Sequence, residues 1–211
     1  MNGAGSQNQD FRTLPSLWPD LTGARVLDLG SGNGLYTREL GRRGALVVGV
    51  DLNLASLRVV LLWPRDGRRY AICADAAHLP FRSGVFDLVL SVEVLTHISP
   101  HMRTKALGAV AWALKKEGHF YCTLHSRLRL TLASWARWRH ARPVYHTASL
   151  SVWPMEPQQA RDALVCCGMR PLGEVLYLNF HSRFSYEFVI AHPALARLVM
   201  AVEDVLSHTP F

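Results

Sequence analysis

The run Val26-Leu27-Asp28-Leu29-Gly30-Ser31-Gly32-Asn33-Gly34 decides the fold. An apolar segment with strand character passes straight into alternating glycines, and a carboxylate stands two residues ahead of the first of them. Glycine has no β-carbon and tolerates positive φ, so the backbone can turn tightly here. A ligand can then lie against it before a helix begins near Leu35. Such a turn marks a nucleotide-type cofactor pocket in an open α/β sheet.

Two cofactor chemistries use a turn of this kind. A dinucleotide site asks for Gly-x-Gly-x-x-Gly, whose third glycine lets the helix close on the strand, and Leu35 occupies that position here. What stands instead is Asp-x-Gly-x-Gly-x-Gly. Downstream, Val47-Val48-Gly49-Val50-Asp51 reads as a second strand ending in an acid. Asp75-Ala76-Ala77-His78-Leu79-Pro80-Phe81 follows, and then Phe86-Asp87-Leu88-Val89-Leu90-Ser91-Val92-Glu93-Val94-Leu95, a fourth strand and its exit. Each piece is common in unrelated α/β proteins. The ordered set from Val26 to about Ser126 resembles the class I S-adenosylmethionine-dependent methyltransferases, small-molecule members above all.

That resemblance implies a set of contacts. Backbone around Gly30, Ser31, Gly32 and Gly34 approaches the methionine portion and ribose of the cofactor, while Asp28 orders the loop near the ammonium. Asp51 accepts both ribose hydroxyls, a charge-assisted pair of bonds that a neutral side chain would match poorly. Leu52 packs on the adenine, Asp75 accepts from its amino group, and the Ala76 amide faces a ring nitrogen. Ser91, Val92 and Glu93 line the methionine side, and the product is S-adenosylhomocysteine. Plainer roles exist for the same residues: Asp28 and Asp75 suit turns and caps, and Asp87 suits the anchoring of a turn.

The chain has 211 residues, 49% of them hydrophobic, enough for one well-buried domain and short for two. A single domain is expected: a tail over 1–20, a cofactor-binding core over 21–126, a basic and aromatic insert over 127–154, and a closing part over 155–211. No run approaches the roughly eighteen apolar residues of a membrane span, and the polar start Met1 to Asp10 lacks the apolar centre of a signal peptide. The expectation is a cytoplasmic monomer or homodimer. Cys73, Cys122, Cys166 and Cys167 show no Cys-x-x-Cys spacing and read as reduced, without a metal. A net charge of +7 permits an anionic partner without demanding one.

Along the chain strands and helices alternate, as a doubly wound, mostly parallel sheet requires. Strands are expected at 26–30, 46–51, 70–74, 86–92 and about 119–125. Helices are expected over 35–42, after an Asn53 cap with Leu54, Leu57, Val60 and Leu61 on one face, and from Ser99-Pro100 with Leu107, Val110, Ala111 and Leu114 as the buried stripe. Lys115, Lys116 and Gly118 read as the stop of that helix. A further helix over 157–167 should end at Gly168. After a sixth strand at 173–179, alternating Phe184, Tyr186, Phe188 and Ile190 suit an antiparallel seventh, and an amphipathic helix follows.

Methyl transfer needs mainly alignment in a dry pocket, so a catalytic base is optional. His97, after strand four, and His125, at the exit of strand five, are the candidates; Tyr145 and His146 in the insert are further ones. The favoured acceptor is a small organic molecule, with tRNA as the alternative. Arginines and aromatics in the insert suit phosphate contact and base stacking, and Leu79 to Asp87 with Leu95-Thr96-His97-Ile98 also resembles wobble-uridine tRNA methyltransferases. Ser91-Val92-Glu93-Val94 is unlike Asn-Pro-Pro-Tyr, which disfavours methylation of adenine or glutamine amino nitrogens. A cofactor-binding scaffold without turnover is the third reading.

Overall fold

The computed structural model describes residues 20–62, 69–124, 145–146, 151–155 and 157–172. The chain groups into two compact units, Met1–Thr123 and Leu124–Phe211.

In the first unit, β1 (Arg25–Leu29), β2 (Leu46–Asp51), β3 (Arg69–Cys73), β4 (Phe86–Ser91) and β5 (Leu114–Cys122) form one sheet in the order β3-β2-β1-β4-β5. Every pairing is parallel. Parallel strands covered on both faces read as continuous apolar runs. Val26, Leu27 and Leu29 on β1 and Leu88, Val89 and Leu90 on β4 are accordingly buried. The winding direction reverses between β1 and β4, so the loops leaving these two strands bound a crevice at the carboxyl edge of the sheet.

Helix α1 (Leu35–Arg42) follows the glycine loop and places Tyr36 and Leu40 on a core with Val26, Val47, Leu88 and Leu90. Helix α2 (Leu54–Leu61) begins at Asn53, whose side-chain oxygen accepts from the amides of Ala55 and Ser56 at 3.0 and 3.3 Å. Leu57 and Val60 are buried as expected. Leu54 is not: in the first turn it is 53% exposed, like its neighbour Leu52 at 70%.

Helix α3 (Pro100–Ala113) starts at the expected Ser99-Pro100 but stops earlier than its sequence suggests. Leu114 is extended and pairs with Phe86, so Lys115, Lys116 and Gly118 belong to β5 and not to the helix end. Tertiary pairing wins there, helped by Asp87, which accepts from Lys115 Nζ at 2.5 Å and from the Arg25 amide at 2.9 Å. Burial works against the Asp87 charge, but these partners hold its carboxyl below the usual range. Asp87 thus anchors the sheet at the amino ends of its strands, as a structural role requires. The stripe of α3 is Arg103, Ala106, Leu107, Val110 and Ala113, with Ala111 and Leu114 only half-buried.

In the second unit, β6 (Tyr145–His146) pairs antiparallel with β7 (Ser151–Val152), a short ladder inside a stretch without a clean strand period. Helix α4 (Pro157–Cys166) ends at Gly168, with φ +78° and a Met169 amide bonded back to Leu164. The expected sixth and seventh strands, the last helix, most of the insert and His125 lie outside the described residues.

Candidate functional site

The crevice is built from four strand exits. After β1, Gly30 and Ser31 donate their amides to the Val50 carbonyl at 2.6 and 3.0 Å, and Gly34 donates to the Ser31 carbonyl at 2.8 Å. The loop is thus tied to β2 before α1 begins at Leu35. Gly30, with φ +72°, is the position where glycine is required: a β-carbon there would lie 2.0 Å from a Val94 methyl. The loop leaving β4 therefore closes directly onto the loop leaving β1.

Asp51 joins the second exit to the first. Its Oδ2 accepts from the Gly32 amide at 2.8 Å and its Oδ1 from the Asn53 amide at 2.7 Å. Each oxygen keeps a further lone pair, so the carboxylate is oriented without being used up. Leu52, next to it, is 70% exposed at the rim.

Asp28 lies beneath the loop, not in the open crevice. It is buried, and its Oδ2 accepts from the Thr37 hydroxyl of α1 at 2.5 Å. Burial pushes its carboxyl up to about 6; the hydrogen bonds of Thr37 pull the other way, and the negative charge of Asp51 adds to the rise. Gly49, opposite Asp28 in the ladder, leaves room for this cluster: a β-carbon there would meet Ser31 Oγ at 2.8 Å and Thr37 Oγ1 at 3.0 Å.

At the third exit Asp75 caps a turn. Its Oδ1 accepts from the Ala77 amide at 2.9 Å, and Oδ2 stands 3.3 Å from His78 Nδ1. Ala76 beside it is buried.

The fourth exit carries Ser91, Val92 and Glu93 into a 3-10 turn, Leu95–His97. Glu93 is the non-glycine residue in the left-handed region among those described, with φ +59°. Two hydrogen bonds hold it there: its amide donates to Thr123 Oγ1 at 2.8 Å, and its carbonyl accepts from the Thr96 hydroxyl at 3.2 Å. Non-glycine residues persist in such a conformation where the surroundings over-determine it, and they cluster at functional sites. His97 is half-buried in the turn. The buried hydroxyls of Ser31 and Ser91 find no hydrogen-bond partner among the described residues.

The residues singled out from the sequence at these four exits are therefore gathered along one edge of the sheet. Sequence reasoning missed Thr37, Val94, Thr123 and Arg103. Gly49 gave a readable signal, since a glycine inside a strand marks close approach, and so did Arg103, a cation in phase with Leu107 and Val110. Thr37 and Thr123 gave none.

Residues 27–122 match the family model described as a methyltransferase domain. The strand order β3-β2-β1-β4-β5 and the glycine loop after β1 lie within this matched segment, which is similar to the methyltransferase domains the model describes. A ubiquinone biosynthesis O-methyltransferase from Ralstonia nicotianae is 34% identical over 142 residues, which cover 59% of this chain and 58% of that protein. The chain thus spans little more than half the length of that relative. Among solved structures, an S-adenosylmethionine-dependent methyltransferase from Mesorhizobium loti aligns with a TM-score of 0.66 at 20% identity, covering 90% of this chain and 92% of that one. The magnesium protoporphyrin IX methyltransferase of Synechocystis, solved with bound SAH, aligns at 0.64 with 18% identity, covering 85% and 80%. These two likenesses concern the fold. Among the described residues no helix is long and apolar enough to cross a membrane.

Proposed function

We propose that this chain transfers a methyl group from S-adenosylmethionine to a small organic acceptor. The observation that carries the reading is Asp51, whose carboxylate is tied to the Gly32 amide and keeps a lone pair on each oxygen for the two ribose hydroxyls. The buried hydroxyls of Ser31 and Ser91, without a partner among the described residues and set at the two loops that flank the switch point, fit a ligand rich in hydrogen-bonding groups. Gly30, Gly32 and Gly34, all at positive φ, give it a backbone surface to lie on. Leu52 offers its exposed side chain to the adenine, Asp75 its carboxylate to the amino group, and Ala76 its amide to the ring. Ser91, Val92 and Glu93 serve the methionine end. Asp28 acts from below by fixing the loop through Thr37.

Once bound, the sulfonium supplies an electrophilic methyl group with a thioether as leaving group, and S-adenosylhomocysteine is the product. The chain's own work is to align the acceptor and exclude water. With an oxygen acceptor a base shortens the path, and His97 at the β4 exit is the described residue suited to take the hydroxyl proton; His125 is the other candidate. The matched relative's name, an O-methyltransferase, supports oxygen. Among the described residues no group of His, Cys, Asp or Glu side chains gathers as a metal site would require. The cysteines described are free thiols, and burial pushes Cys122 up to about 12, as for a small apolar side chain with no part in the chemistry.

Calorimetric titration with S-adenosylmethionine, followed by incubation of the protein with labelled methyl donor, a metabolite pool and tRNA, tests the proposal. Binding with label in a small metabolite is the expected result. Label in tRNA, with an affinity that falls steeply with salt, moves the assignment to the RNA alternative. Binding without label anywhere leaves a scaffold, and no binding removes the cofactor assignment.

A further inference from the structure

The residue with the least evident reason to be where it is lies outside the glycine loop. Arg103 is only 4% exposed and is the fourth residue of α3, which starts at Pro100. A helix amino terminus carries partial positive charge and disfavours a cation, and α3 has no acid in its first turn to offset this. Burial lowers the basicity of the guanidinium further. A solvent-facing side chain at this position would avoid both costs, so what Arg103 holds must matter to the fold of its surroundings or to the site.

What it holds is the loop leaving β4. Arg103 Nε donates to the Leu95 carbonyl at 2.8 Å, and Nη2 donates to the Ile98 carbonyl at 3.0 Å. These two carbonyls bracket His97. The Leu95 carbonyl also accepts from the Ile98 amide at 3.3 Å, and the His97 amide donates to Val94 at 2.9 Å, so the guanidinium closes the turn from below. On its other side the same loop is fixed by Val94 against Gly30 and by Glu93 bonded to Thr123. The planar fork of arginine satisfies two carbonyls at once, which a lysine ammonium at the same place cannot reproduce.

We infer that Arg103 is a positioning residue, which sets the Leu95–His97 turn so that His97 stands in one fixed place at the acceptor side of the site. The assignment of a function to His97 rests on the proposed methyl transfer, but the positioning itself does not. Arg103 touches neither cofactor nor acceptor in this scheme; it acts through the backbone on both sides of His97.

The test uses the full chain with Arg103→Met, which removes both hydrogen bonds at similar volume, and Arg103→Lys, which keeps charge and at most one of them. His97 ring resonances, assigned by comparison with His97→Gln, and amide exchange across residues 95–98 are recorded for each. The expected result is a displaced His97 ring signal and exchange at least about tenfold faster across the turn in Arg103→Met, a smaller change in Arg103→Lys, and S-adenosylmethionine affinity within about threefold of wild type. With an acceptor in hand, kcat falls about tenfold or more while the KM for the methyl donor holds, and Arg103→Met adds nothing to His97→Gln. Should Arg103→Met not fold, Arg103→Lys decides the matter alone. An unmoved His97 signal with unchanged exchange in a folded variant overturns the proposal. A wild type that binds no S-adenosylmethionine, while His97 still shifts in the variant, removes the proposed function and leaves the Arg103 assignment standing.

Discussion

Asp51 and Asp28 are carboxylates on neighbouring strands with opposite circumstances. Asp51 stands at a strand end holding two amides, and Asp51→Ala is expected to weaken S-adenosylmethionine binding by about 100-fold, close to 3 kcal/mol, in calorimetry. The melting temperature should fall only modestly, since each lost amide bond is worth about 1 kcal/mol. Asp28 is buried with its carboxyl raised from 3.8 to about 6. Because the folded state holds the proton more tightly than the unfolded one, Asp28 favours folding most below the unfolded value. That contribution is lost as pH rises to the folded value. In urea unfolding from about pH 4 to about pH 7, wild type should lose on the order of 3 kcal/mol relative to Asp28→Asn, at about 1.4 kcal/mol per pKa unit. Parallel pH profiles for the two proteins would refute the buried, raised carboxyl. Lys115→Ala is the contrasting case: its pair with Asp87 is more than a third exposed on both sides, so chemical denaturation should show a loss below about 1 kcal/mol.

At the scale of elements, the crevice depends on two loops meeting. Gly30→Ala would bring a β-carbon onto Val94 in a backbone conformation that disfavours any side chain. The expected cost is about 2 kcal/mol or more. Adding Val94→Ala, which removes the two nearest methyls, should recover most of the steric part and leave the backbone part, as denaturation of the double variant would show. The glycine loop, the acid closing β2 and the five strands were legible because they rest on local rules: glycine for a turn, apolar runs for parallel strands, Asn53 for a cap. The boundary between α3 and β5 was not. Lys115, Lys116 and Gly118 carry every local sign of a helix end, yet the partner strand draws Leu114 into the sheet at Phe86. Leu54 was misread for a similar reason, since helical spacing does not say how far along the helix the sheet covers it. Arg103 showed itself as a cation in an apolar stripe, but the stripe gives no hint of the carbonyls it reaches.

For the whole molecule, a cofactor that binds only the folded chain must stabilise it by mass action. At a free concentration of about 100 times its Kd, S-adenosylmethionine should add about 2.7 kcal/mol and raise the melting temperature, whereas NAD should not. Equal shifts from both would undo the choice between the two nucleotide chemistries that Leu35 first suggested. The rest of that choice is written in the sheet itself. Gly49, in the middle of β2, is assigned no ligand contact of its own, yet the absent methyl there is what leaves room for the hydroxyls of Ser31 and Thr37 beside Asp28. A lineage could therefore retune its grip on the methyl donor by a single carbon atom in the strand beneath the glycine loop, acting through Ser31 without replacing any residue that the ligand meets.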